Sequence, residues 1–249
     1  MRPDHGEAYV NRAIARLDAG RNAEAVEDLT RALELGAPAG RTYLIRARAR
    51  EKAGDLAGAK RDRAEGLRVE PADETAWVAR GVARVSDAPE GALADFDRAL
   101  GLNPHSLSAL ENKSHVLAER LGRPEEAVRV LGRLLELYPE QAPDRAARGV
   151  LLARLGRRDE ALRDAGEALT VDDSPAMLYQ VAGIYALTSR RDPADRARAF
   201  PLLASALRRG YGHDRIDTDS DLDPVREDPQ FRRLLEAAHA LRPAPPRTP

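Results

Sequence analysis

The chain has 249 residues, 43% hydrophobic and only 4% aromatic, with a formal charge of −1 from 40 basic and 41 acidic residues. That is enough apolar material for a buried core, and the balanced charge gives no broad positive field for a phosphate backbone, so nucleic acid is not an expected partner. The absence of cysteine removes disulfides, thiolate zinc sites and cysteine nucleophiles.

From the N-terminus, Asp4, Glu7, Arg12, Arg16 and Asp18 interrupt any leader-like apolar run, and stretches such as 150–153 are far shorter than the ~20 residues of a membrane span. The expectation is a soluble, cytoplasmic chain. A segment beginning Glu24-Ala25-Val26-Glu27-Asp28-Leu29 then sets a pattern that returns along the sequence. Its leading alanines are Ala25, Ala59, Ala92, Ala127, Ala161 and Ala199, spaced by 34, 33, 35, 34 and 38 residues. A second column, Ala13, Ala47, Gly81, Ser114, Gly149 and Gly183, is small throughout, and four residues before it stand Tyr9, Tyr43, Trp77, Leu110, Arg145 and Tyr179. A period near 34 residues is the mark of stacked helical hairpins, because one hairpin cannot bury its apolar face alone. Glycines at 20, 54, 122 and 156 suit left-handed helix stops, and Pro89, Pro124 and Pro193 suit first turns of the helices that follow.

These columns, with Pro71, Pro104 and Pro139 at the closing position, resemble the tetratricopeptide repeat (TPR) family. The resemblance implies an all-α, right-handed α-solenoid of six hairpins over about 6–38, 40–72, 74–105, 107–140, 142–174 and 176–209. A C-terminal capping segment is expected over 210–241, with a helix from Pro229 to Leu241, followed by a disordered proline-rich tail over 242–249. Arg63, Ala165, Gly66 and Leu134 depart from the family pattern, which places the weakest packing in the second and fifth units. The stretches 179–182, 192–196 and 221–232 are similar to repeat regions attached to bacterial eukaryote-like Ser/Thr kinases.

No HExxH, GxSxG, P-loop or dinucleotide-binding motif occurs, and the five histidines share no metal-ligand spacing. Asp217, Asp219 and Asp221 have the start of a calcium-loop spacing, but Leu222 and Pro224 stand against it; turns and helix starts are the expected roles. The expectation is therefore no enzyme, no cofactor and no metal, but a protein-binding scaffold, with a homo-oligomeric structural protein as the alternative. By the resemblance, the first helix of each unit lines a concave groove, which assigns Val10, Ile14, Leu44, Arg48, Val78, Val82, Glu111, His115, Val150 and Ile184 to partner binding. Val10 and Ile14 occupy positions where some family members carry a Lys and Asn carboxylate clamp, so a chaperone-tail ligand is not expected. An apolar groove suits an amphipathic helix or an apolar extended segment, and a homodimer through the first repeat is a further expectation. Finally, Arg12/Arg16, Arg46/Arg50, Arg80/Arg84 and Arg148 recur in step with Asp28, Asp62, Asp95 and Asp164, and both patterns lapse together in the fourth unit. Matched loss predicts a ladder of Arg–Asp contacts within the hairpins.

Overall fold

The computed structural model describes residues 4–240; the expected proline-rich tail and Leu241 lie outside the described residues. Among the described residues every regular element is helical, and no helix is long and apolar enough to cross a membrane. The helices run α1 (Asp4–Asp18), α2 (Asn22–Glu34), α3 (Ala39–Lys52), α4 (Leu56–Arg68), α5 (Glu74–Arg84), α6 (Pro89–Leu102), α7 (Leu107–His115), α8 (Pro124–Leu137), α9 (Ala142–Arg154), α10 (Arg158–Val171), α11 (Pro175–Thr188), α12 (Arg196–Arg208) and α13 (Pro229–Ala240). The chain divides into two compact units between Gly122 and Arg123.

Local chemistry explains the helix ends. Gly20, Gly54, Gly122 and Gly156 have φ of 72°, 88°, 62° and 74°, the left-handed conformation that ends a helix at no Cβ cost. Asp55, Asp73, Ser106 and Ser174 cap α4, α5, α7 and α11 by accepting hydrogen bonds from the amides of Gly58, Ala76, Ala109 and Met177. Pro89 and Pro124 open α6 and α8, while Pro193 opens a 3₁₀ turn (Pro193–Asp195) that leads into α12.

In the first unit α1 packs on α2, α3 on α4 and α5 on α6, and each first helix also meets the next first helix. The expected small column does its work here. Gly81 is buried against the fully buried Phe96, and a Cβ at Gly81 would stand 2.5 Å from the Phe96 ring. The core of the first hairpin is Val10, Ala13, Leu17, Ala25, Leu29 and Ala32. By contrast α4, with Arg63 at the large-apolar position, buries only Gly58, Ala59, Asp62 and Gly66. The helix α7 runs into a π-helical turn, Val116–Arg120, with Val116 and Leu117 buried.

In the second unit α9 pairs with α10 and α11 with α12. Helix α11 is apolar nearly all round, as a helix enclosed by neighbours must be. One cover is the C-terminal segment: a 3₁₀ turn (Ser220–Val225) lies on α11 and α13 packs on α12. Ile216, Leu222, Val225 and Phe231 join Tyr179, Ala182, Ala186 and Leu203 in one core.

Candidate functional site

The predicted Arg–Asp ladder exists. Arg12 grips Asp28 through Nε to Oδ2 (2.9 Å) and Nη2 to Oδ1 (2.6 Å), and Arg16 Nη1 lies 2.6 Å from Oδ2. Arg46 and Arg50 repeat this on Asp62, Arg80 and Arg84 on Asp95, and Arg148 alone on Asp164. In the first three hairpins an aromatic ring underlies the guanidinium, with Tyr9 5.0 Å from Arg12, Tyr43 5.4 Å from Arg46 and Trp77 4.3 Å from Arg80. The hydrogen bond from Arg12 holds Asp28 below the usual carboxylate range, and Asp62 holds Arg46 above its ordinary value. In the lapsed fourth unit Lys113 turns instead to Asp97, 2.5 Å away. The ladder joins α1 to α2, α3 to α4, α5 to α6 and α9 to α10, and so fixes the face that α1, α3 and α5 present on their other side.

On that other side α1, α3, α5 and the start of α7 enclose a cleft of about 550 Å³. Repeat spacing sets its rows. Val10, Leu44 and Val78 share one register position, Ile14, Arg48 and Val82 another. Along the first row exposure rises from 0% at Val10 and 7% at Leu44 to half-buried at Val78; in the second, Ile14 is half-buried, Arg48 exposed and Val82 37% exposed. Ile14, Leu44, Arg48, Val78 and Val82 line the cleft, and Val10 does not. The turn after α2 closes over the start of α1, with Ala37 3.1 Å from where a Gly6 Cβ would stand, and Val10 joins that core.

From α7 the cleft takes Ser108 and Asn112; Glu111 and His115 lie outside it. Family offsets carried straight onto α7 miss Asn112, and they also miss Asp18, Arg63 and Glu74, which line the cleft as well. Charges in the cleft are mostly committed. Arg41 Nη1 pairs with Glu7 (3.2 Å), Arg63 Nη2 with Glu51 (2.9 Å), and Glu74 accepts from the Ser106 hydroxyl.

Val150 and Ile184 belong to the second unit, do not line this cleft, and are 9% and 0% exposed. For Ile184 the cause is Gly149: without a Cβ it lets α11 approach α9, and an added Cβ would stand 2.8 Å from Ile184 Cδ1. Neither side chain is presented to a ligand as the groove reading expects. The acids of the C-terminal segment have structural partners: Asp219 accepts from the Asp221 amide (3.0 Å), Asp221 pairs with Arg154 (2.9 Å) and Asp217 with His239 (2.8 Å).

Residues 6–35 and 116–140 each match a tetratricopeptide repeat family. No curated protein matches the sequence. Among solved structures, the chain is similar to Pseudomonas aeruginosa pilF at TM-score 0.62 and 16% identity, over 81% of this chain and 91% of that one. It is similar to MamA 41-end from Desulfovibrio magneticus RS-1 at TM-score 0.54 and 18% identity, over 70% and 96%. It also resembles a chain of the APC/C hetero-tetramer Cut9-Hcn1 at TM-score 0.60 and 13% identity, covering 96% of this chain but 43% of that one. Identities this low speak for the fold alone. Segments from two separate places match the same repeat, and the columns of small residues, arginines and aspartates keep its period between and beyond them; the chain carries tetratricopeptide repeats at 6–35 and 116–140 within a helical-repeat fold.

Proposed function

We propose that this chain is a protein-interaction scaffold that holds a segment of a partner protein in the cleft formed by α1, α3 and α5. The two matched repeats support the scaffold, since such repeats are typically non-enzymatic binding modules. The observation that supports the cleft is apolar surface left open inside it: Val82 is 37% exposed beside the half-buried Ile14 and Val78. Open apolar surface in a concave, polar-rimmed setting gains free energy when a partner covers it. The test is capture of peptides from a displayed library by the purified chain, repeated with Val78→Asp and Val82→Asp. Capture lost in the variants while their circular dichroism is unchanged supports the cleft, and capture retained removes it.

The six-unit division with a cap over 210–241 belongs to the same reading, as does a cytoplasmic docking role beside a bacterial Ser/Thr kinase. The latter rests on sequence resemblance within 179–232, and co-purification of the chain with a kinase tests it. A homodimer through the first hairpin is a second reading. It rests on Ala8, exposed where its register equivalents Ala76 and Ala109 are buried. A single monomeric species in sedimentation at all concentrations removes it.

A further inference from the structure

The cleft in the first unit carries a charge pattern that narrows what it can hold. Three cations line it. Arg41 is paired with Glu7 and Arg63 with Glu51. Arg48, exposed on α3, has no hydrogen-bond or ion-pair partner among the described residues. Of the carboxylates, Glu51 and Glu74 are taken, and Asp18, the last residue of α1, has no hydrogen-bond or ion-pair partner among the described residues. Arg48 therefore offers a free guanidinium inside the cleft.

Its surroundings decide the form of the anion. Helix α3 lies between α1 and α5, so Arg48 has Ile14 and Leu17 on one side and Val78 and Val82 on the other. A free chain end bound at Arg48 would leave one of those apolar sides uncovered. A phosphate, with up to two charges, calls for more than the one uncommitted cation present. A single side-chain carboxylate with apolar neighbours before and after it satisfies both sides and the charge. We propose that the cleft takes a partner peptide presenting one internal Asp or Glu to Arg48 between apolar residues that seat against Ile14 and against Val78 and Val82. This deepens the scaffold reading above and rests on it.

The probe is a library of acetylated, amidated nonapeptides with a fixed central Glu and random flanks, beside matched libraries with central Gln and with a free C-terminal carboxylate. Binding of selected peptides to the full chain is read by fluorescence anisotropy. The expected result is enrichment of the Glu library with Leu, Ile or Val on both sides of the acid. Changing that Glu to Gln then weakens binding about tenfold, the scale of one charge-assisted hydrogen bond. Arg48→Glu abolishes binding of the Glu peptide and favours its Lys counterpart. Arg48 is exposed and unpaired, so the melting curve of Arg48→Glu stays that of the parent chain. If Glu and Gln peptides bind alike and Val78→Asp removes both, the cleft reading survives and this proposal is overturned. Preference for the free C-terminal carboxylate overturns it as well. Peptides indifferent to Val78→Asp overturn both readings.

Discussion

Arg80 closes on Asp95 with Nη2 2.9 Å from Oδ1, while the Trp77 ring lies 4.3 Å from the same guanidinium. Arg80 is 8% exposed and Asp95 2%, the most enclosed rung of the ladder. Burial works against the charge on Arg80, and the bonds to Asp95 outweigh it, so the guanidinium is held above its ordinary value. A buried pair of this kind adds little net stability, because desolvation offsets attraction, but removing one partner strands the other. Asp95→Ala is expected to cost about 3 kcal/mol in denaturant unfolding. Replacing both partners, Arg80→Met with Asp95→Leu, should return to within about 1 kcal/mol of the parent. Asp28→Ala should cost less, about 1 kcal/mol, since the Arg12 side chain is 56% exposed and water takes over its hydrogen bonds. Equal costs at the two aspartates would contradict this account.

The ladder was legible because it repeats. Arg and Asp recur about 16 residues apart, and both are lost together in the fourth unit, where Lys113 and Val130 take their places, as residues in contact would be. The π-helical turn also leaves a mark in the spacing. Ser114 and Ala127 are 13 residues apart, against 12 for Ala13 and Ala25, Ala47 and Ala59, and Gly149 and Ala161. The Val116–Arg120 turn lies within that longer interval and absorbs an extra residue, as the wider i→i+5 winding does. Burial of single side chains was not legible. Val10 and Ile184 read as groove residues by offset, but one is closed over by the turn at Ala37 and the other by the approach that Gly149 permits. Offsets encode the direction of a side chain from its own helix. They do not encode how near the next element comes.

Glycines in these helices should answer differently to the same change. At Gly81 an added Cβ would lie 2.5 Å from the buried Phe96 ring, and overpacking of that kind costs about 1–3 kcal/mol. That exceeds the roughly 1 kcal/mol of helix propensity gained by Gly→Ala. Gly81→Ala should therefore destabilise, and Phe96→Leu in the same chain should recover part of the loss. At Gly166, inside α10, nothing lies within 4 Å of an added Cβ. Gly166→Ala should raise stability by up to about 1 kcal/mol. Thermal melts of the three variants decide whether close approach is what the small column is for.

The C-terminal segment is expected to stand or fall with Phe231. Its ring is 1% exposed in a core shared with Ile216, Leu222 and Val225, and α13 presents Leu234 and Leu235 to the same core. Phe231→Ala removes the largest of these side chains, at about 3–5 kcal/mol for a site that cannot collapse. Hydrogen exchange should then quicken first in α13 and in Ser220–Val225, before α11 and α12. Uniform loss of protection across the second unit would show that the segment is part of the repeat core and not a separable cover.

Asp144 gives the opposite pH response to Asp28. It sits in the first turn of α9, half-buried, with no hydrogen-bond or ion-pair partner among the described residues, and burial pushes its carboxyl above the usual range. A carboxyl raised on folding binds its proton more readily in the native state, so charged Asp144 weakens the fold near neutrality and protonation relieves it. Asp28, held low by Arg12, contributes stability near neutrality that disappears as pH falls below about 4, the unfolded value. The first-turn position returns some favourable helix-dipole energy to Asp144, about 0.3–1 kcal/mol, which limits the gain from removing it. The register equivalents of Asp144 include Ala8, Ala76 and Ala109, so alanine is at home there. Asp144→Ala is expected to stabilise the chain at pH 7, because it removes a carboxylate that burial penalises. Its advantage over the parent should shrink as pH falls from neutrality toward about 4, the ordinary carboxylate value, as the parent takes up its proton. Urea unfolding of both chains across that range reads the difference directly. A gain independent of pH would mean that helix propensity, not relief of a buried charge, accounts for the effect.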